Sequence, residues 1–127
     1  MGTSYKGDSL YFRSIGQNIM IVATKYAYSD GYFGDNSPHG SDRTRNIVAE
    51  DNVKAARDFY DKLAFGGKER ITDDNKRITR MADGTVITMR ETSHSDGTPA
   101  VDINIKNSTH TGGVKGQKIH FIKENKK

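Results

Sequence analysis

The chain has 127 residues, 33% of them hydrophobic, and a mean hydropathy of −0.78. That length holds one domain with a core of modest size, and no apolar run is long enough to form a membrane-spanning helix. There is no cysteine, which excludes disulfides, thiolate nucleophiles and cysteine zinc sites and suits a reducing compartment, while a net charge of +4 and a pI near 9.3 suit attraction to polyanions, of which nucleic acid is the commonest.

No charged segment followed by an apolar stretch opens the chain, so no signal peptide is expected, and Met1-Gly2-Thr3 reads as a start joined to an internal fragment. From Ser9 to Tyr28 the spacing of Leu10, Ile15, Ile19, Val22 and Tyr26 predicts a helix, broken or bent near Gly16. Residues 29–46 carry Gly31, Gly34, Pro38 and Gly40 among Asp, Asn and Ser, and read as a loop that Tyr32 and Phe33 tack onto the core. Residues 1–46 thus form an N-terminal helical and loop segment, either part of the same domain or leading into it, and residues 47–127 form the compact core.

The clearest helix runs from Ala49 to Phe65. Val53, Ala56, Tyr60, Leu63 and Ala64 share one face, Asp51 or Asn46 caps the start, and Gly66-Gly67 stops the end. Gly66-Gly67-Lys68 is a helix stop and lacks the phosphate-loop pattern. The period then changes to two. Arg77–Met81 and Val86–Arg90 flank Asp83-Gly84, a hairpin signal. A two-residue turn there pairs Ile78 with Met89 and Thr79 with Thr88. Val101–Lys106 is the next strand and Lys118–Ile122 closes the sheet, with Ile119 and Phe121 facing inward. The expected fold is α+β, with N-terminal helices packed on one face of an antiparallel meander of about four strands.

The face opposite the helices then carries Arg77, Thr79, Thr88, Arg90, Asp102, Asn104, Lys106, Lys118 and His120. A solvated face of mixed charge is the plain alternative, but here cations outnumber the one carboxylate, which suits phosphate. Metal-free RNA cleavage needs a base for the substrate 2′-hydroxyl, an acid for the leaving 5′-oxygen and cations around the phosphorane. His120 supplies an imidazole, the side-chain type whose reference pKa lies near neutrality and which serves as acid or base. Asp102 is its opposite number or its orienting group, Arg90 and Lys118 clamp phosphate, and Thr88, Thr92 and Ser93 offer hydroxyls. Arg77, Thr79, Lys68, Ser93, Asn104 and Lys106 are the expected substrate-binding set. His94 and His110 sit in loops as weaker candidates, and His39 reads as solvent-exposed. No cofactor is implied, and the familiar metal-ligand spacings are absent. Asp102 with Lys106 only loosely echoes a magnesium nuclease site.

Four short motifs carry a resemblance: Phe65-Gly66-Gly67-Lys68, the run from Met81 to Thr88, the run from Asp96 to Ile105, and Gln117-Lys118-Ile119-His120-Phe121. Together, over roughly residues 47–123, they resemble C-terminal toxin domains of bacterial polymorphic toxins, including contact-dependent growth inhibition effectors. The order of elements is similar to the barnase, EndoU, colicin and RelE type of ribonuclease fold. The resemblance implies a nuclease toxin core at 47–127, carried by a secreted or cell-surface effector and acting in the cytoplasm of the target bacterium. Its expected partners are RNA, most often tRNA, a cognate immunity protein over the active face and, in some relatives, elongation factor Tu. It also supports His120, Arg90 and Asp102 as site residues. The departure is that no glutamate lies inside a strand as the base, since Glu91 alternates toward the core. A metal-dependent DNase toxin, a non-catalytic nucleic-acid-binding module and a protein-interaction domain are the alternatives.

Overall fold

A computed structural model describes residues 15–37, 43–92, 97–106 and 108–124, with the side chains of Ser108 and His110 outside that description. The first helix, α1, is Ile15–Ala23 and buries Ile15, Ile19 and Val22 as their spacing predicts. The part of the expected helix before Ile15 lies outside the described residues. Asn18 is fully buried on the same helix and donates from Nδ2 to the carbonyls of Leu63 (2.7 Å) and Phe65 (2.9 Å). It thereby satisfies carbonyls that the end of the second helix leaves without intrahelical donors.

The expected loop over 29–46 is instead built of short strands. Strands β1 (Tyr28–Ser29) and β2 (Tyr32–Phe33) form a hairpin around Asp30 and Gly31, both at positive φ (54° and 88°). Two left-handed residues in a two-residue loop make a type I′ turn, whose twist matches that of the strands. A side chain at Gly31 would collide with the Thr111 carbonyl. The hairpin is pinned by buried Gln117, which accepts from Phe33 N and donates to the Gly31 carbonyl, each at 2.9 Å. Strands β3 (Asp35–Asn36) and β4 (Thr44–Ala49) follow and join the main sheet, so residue 46 falls inside a strand.

The second helix, α2, is Asn52–Leu63, capped by Asp51, whose side chain accepts from Lys54 N at 3.1 Å. It buries Ala56, Phe59, Tyr60 and Leu63. The helical spacing also selected Val53, which is half-buried, and passed over Phe59, which is the hub. The Phe59 ring meets those of Phe33, Tyr26 and Phe121 edge-on at centroid distances of 4.9, 5.4 and 5.4 Å. Such geometry adds about 0.5–1.5 kcal/mol per pair beyond burial.

Five strands complete the chain: β5 (Lys68–Ile71), β6 (Arg77–Arg80), β7 (Val86–Arg90), β8 (Ala100–Asn104) and β9 (Gly116–Lys123). They form an antiparallel meander within a seven-stranded sheet of order β3-β4-β9-β8-β7-β6-β5. The class is α+β as expected, but the sheet is larger than a four-strand meander and is mixed, because β4 runs parallel to β9. Strand β9 therefore lies inside the sheet instead of closing it. Helix α2 packs against β4, β7, β8 and β9, and α1 packs on α2.

One register differs from expectation. Met81 N donates to the Thr85 carbonyl (2.8 Å) and Gly84 N to the Met81 carbonyl (2.9 Å), with Gly84 at φ +92°. This is a three-residue loop ending in a left-handed glycine, not a two-residue turn. Arg77 therefore opposes Met89, Ile78 opposes Thr88 and Thr79 opposes Ile87. A one-residue slip moves every side chain of a strand to the other face. Arg77 and Thr79 consequently face α2, and Ile78 faces away.

Candidate nucleic-acid groove

The corrected register arranges the open face in continuous rows that cross the strands. The middle row runs Thr44, Lys118, Asp102, Thr88, Ile78, Arg70, each opposite the next on a neighbouring strand. One flanking row runs Asn46, His120, Ala100, Arg90. The other runs Gly116, Asn104, Val86, Arg80, Lys68.

A shallow groove of about 600 Å³ follows the middle row. Its walls carry five cations, Arg43, Lys76, Arg90, Lys115 and Lys118, against one carboxylate, Asp102, with Thr44, Thr88 and Asn104 as neutral polar groups. Asp102 is half-buried on the groove floor. Burial pushes its carboxyl above the ordinary carboxylate value, opposed by the charges of Lys118, Arg90, His120 and Lys76. Among the described residues Asp102 accepts no hydrogen bond and forms no ion pair within 4 Å. It is a carboxylate held near cations but bonded to none of them.

His120 is 5% exposed, which corrects the expectation of an open imidazole. Its strand lies between β4 and β8, which places Asn46 and Ala100 directly beside it. Its Nδ1 is hydrogen-bonded to the Thr98 hydroxyl at 3.0 Å. In the sheet it is the diagonal neighbour of Asp102, a relation that separates side-chain origins by about 7 Å.

Arg90, Asp102, Lys118, Thr88 and Asn104, all expected from the sequence, meet in the groove. Five other expected site residues do not line it: His120, Arg77, Thr79, Lys68 and Lys106. Arg77 binds Glu69 (2.9 Å) and Asp61 (3.1 Å) and lies over the Tyr60 ring at 4.7 Å, all on the helix side. Thr79 is buried and hydrogen-bonds the Tyr60 hydroxyl. Both hold α2 to the sheet. Lys68 is on the open face, but on the edge strand β5 beside Arg80. Lys106 lies beyond the end of β8, its side chain against Gly84. Glu91 is exposed and bound to Arg57 on α2 at 2.6 Å, so it faces away from the groove. Ser93, His94 and His39 lie outside the described residues, as does the side chain of His110.

Arg43, Lys76 and Lys115 were missed because they stand just outside strand ends. A basic residue flanking a strand already on the open face is the signal that finds them. Among the described residues no three His, Asp or Glu side chains converge to hold a metal ion. A second concavity of about 550 Å³ is lined by Asp74 and Glu91 as well as Arg77 and Arg90, so its charges largely cancel. No family model, curated protein or solved structure matches the chain.

Proposed function

We propose that the groove binds the phosphodiester backbone of RNA and cleaves it by acid–base catalysis on Asp102 and His120. The observation that carries this reading is the single half-buried carboxyl group, its pKa raised by burial, on the floor of a groove lined by five cations. A purely structural sheet face gains nothing from leaving a carboxylate unbonded among lysines.

In the reaction, the substrate 2′-hydroxyl attacks the adjacent phosphorus and its proton passes to the Asp102 carboxylate. The bond from phosphorus to the 5′-oxygen breaks, and that oxygen takes a proton from the His120 ring. The products are a 2′,3′-cyclic phosphate and a free 5′-hydroxyl. Lys118 and Arg90, on either side of Asp102 among the rows, stabilise the extra negative charge of the phosphorane. Thr98 fixes the orientation of the His120 ring. In this reading the domain is an antibacterial ribonuclease toxin whose targets include tRNA. An immunity protein neutralises it by covering the groove with acidic side chains, and elongation factor Tu presents tRNA to it.

The test is incubation of purified tRNA and total RNA with the protein in EDTA, beside Asp102→Asn and His120→Gln. Cleavage with cyclic-phosphate ends that is lost in Asp102→Asn supports the reading. Intact RNA in every lane, with salt-sensitive binding retained, makes the groove a non-catalytic nucleic-acid-binding surface. Cleavage that appears only on adding magnesium favours the metal-dependent nuclease.

A further inference from the structure

The cationic surface continues past the groove to the far edge of the sheet. Lys68 of β5 stands directly opposite Arg80 of β6, and Arg70 of β5 occupies the end of the middle row opposite Ile78. All three cations are exposed, and among the described residues none has a carboxylate within 4 Å. Like charges directly opposite on paired strands destabilise a sheet. On the reverse side of these same two strands, Glu69 sits opposite Thr79 and binds Arg77, so that side is neutralised. The repulsion is therefore confined to the open face.

We propose that Lys68, Arg70 and Arg80 form a distal phosphate-binding subsite, and that the substrate is base-paired RNA laid across the strands. The proposal rests on the groove reading and extends it. From Thr44 to Arg70 the middle row crosses five strand spacings, about 24 Å. That is far longer than the two nucleotides flanking a scissile bond. Among the described residues no Phe, Tyr or Trp stands in the three rows, and the one imidazole there, His120, is buried. Unstacked single strands are held chiefly by aromatic platforms, whereas a duplex is held through its backbone by shape and charge. A long cationic track without stacking rings therefore fits the duplex.

The experiment compares Arg70→Ala/Arg80→Ala with the parent protein, both carrying Asp102→Asn to keep RNA intact. Binding of an RNA duplex of about twenty base pairs and of oligouridylate of equal length is measured across a salt series. The expected result is duplex affinity about tenfold weaker in the double variant, with the slope of log K against log salt shallower by about two units. Restoring the charges as Arg70→Lys/Arg80→Lys should restore the slope. An unchanged slope, together with self-association of the double variant on size exclusion, would overturn the subsite and make these cations guards of an exposed edge strand. Oligouridylate bound as tightly as duplex would overturn the base-paired substrate. Weakened duplex binding in a protein whose parent form never cleaves RNA would support the subsite while sinking the catalytic reading.

Discussion

Two aspartates on opposite sides of the molecule show how differently it treats charge. On the helix side, Asp58 of α2 accepts from Lys25 (2.9 Å), the Tyr26 hydroxyl (2.7 Å) and Lys62. Burial alone would raise its carboxyl, but those three donors outweigh burial and hold it well below the usual carboxylate range. On the open side, Asp102 is also partly buried and has cations around it, yet among the described residues no donor bonds it, and its carboxyl is raised. The pattern extends beyond the pair. Glu69, Asp61 and Glu91 each meet an arginine on the helix side, while among the described residues Lys76, Lys115 and Lys118 of the groove meet no carboxylate within 4 Å and Arg90 meets Asp74 at 3.9 Å. One face is neutralised for packing. The other leaves most of its cations without a carboxylate among the described residues.

The strongest way to break the comparison is to remove what the helix side exists to hold. Phe59→Ala deletes the ring at the centre of the core and should destabilise the protein by about 3–5 kcal/mol in urea unfolding. RNA binding should then fail only because the fold is lost. If Phe59→Ala stays folded at near-parent stability, the core assignment is wrong.

Gln117→Leu leaves the Phe33 N–H and the Gly31 carbonyl without their buried partner, at a cost of about 2–3 kcal/mol. Amide exchange should quicken first in Tyr28–Phe33. Slowed or unaltered exchange there would show that Gln117 does not pin the hairpin.

The two aspartates also predict opposite pH responses. Asp58 has a lowered folded-state pKa, so its contribution is present above the ordinary value of 3.8 and is lost as pH falls below it. Asp102 has a raised folded-state pKa, so its penalty is absent below 3.8 and grows as pH rises through the folded value. Asp102→Asn should therefore be more stable than the parent at neutral pH and equal to it in acid, whereas Asp58→Asn should be less stable at neutral pH. Thermal melts across pH 3 to 7 decide it, and a destabilised Asp102→Asn at neutral pH would refute the account of the groove floor.

The smallest effect sharpens the contrast most. Arg77→Met should cost at most about 1 kcal/mol and leave the salt dependence of RNA binding as it was, because its charge is spent on Glu69 and Asp61. Lys118→Met should leave stability nearly unchanged but flatten the salt slope by about one unit. Equal slopes for the two variants would mean that the faces do not divide the labour.

Much of this division was legible in the residues. Alternation along Val101–Lys106 and Lys118–Ile122 placed Asp102, Asn104 and Lys118 on one face, and helical spacing found most of the buried stripe of α2. The register of β6 was not legible, because Asp83-Gly84 suits either a two-residue turn or the end of a three-residue loop. That one residue decided the fate of Arg77 and Thr79. The first strands were obscured by loop-like composition, although Asp30-Gly31 carries the same hairpin signal as Asp83-Gly84. The burial of His120 depends on β4 lying beside β9, a pairing between distant segments that local patterns do not encode.

The pairing of β4 with β9 also governs how the molecule comes into being. Thr44 must find Lys118, and Ala49 must find Lys123, across nearly the whole intervening chain. Contacts so remote in sequence are slow to form, since the entropy of closing the loop is lost before the contacts repay it. Strand β9 brings Ile119 and Phe121 to the core and Lys118 and His120 to the open face in the same event. The edge of the face at Thr44 and Asn46, and the cover they give His120, therefore depend on a pairing that forms slowly, whereas Lys118 meets Asp102 through the local pairing of β9 with β8.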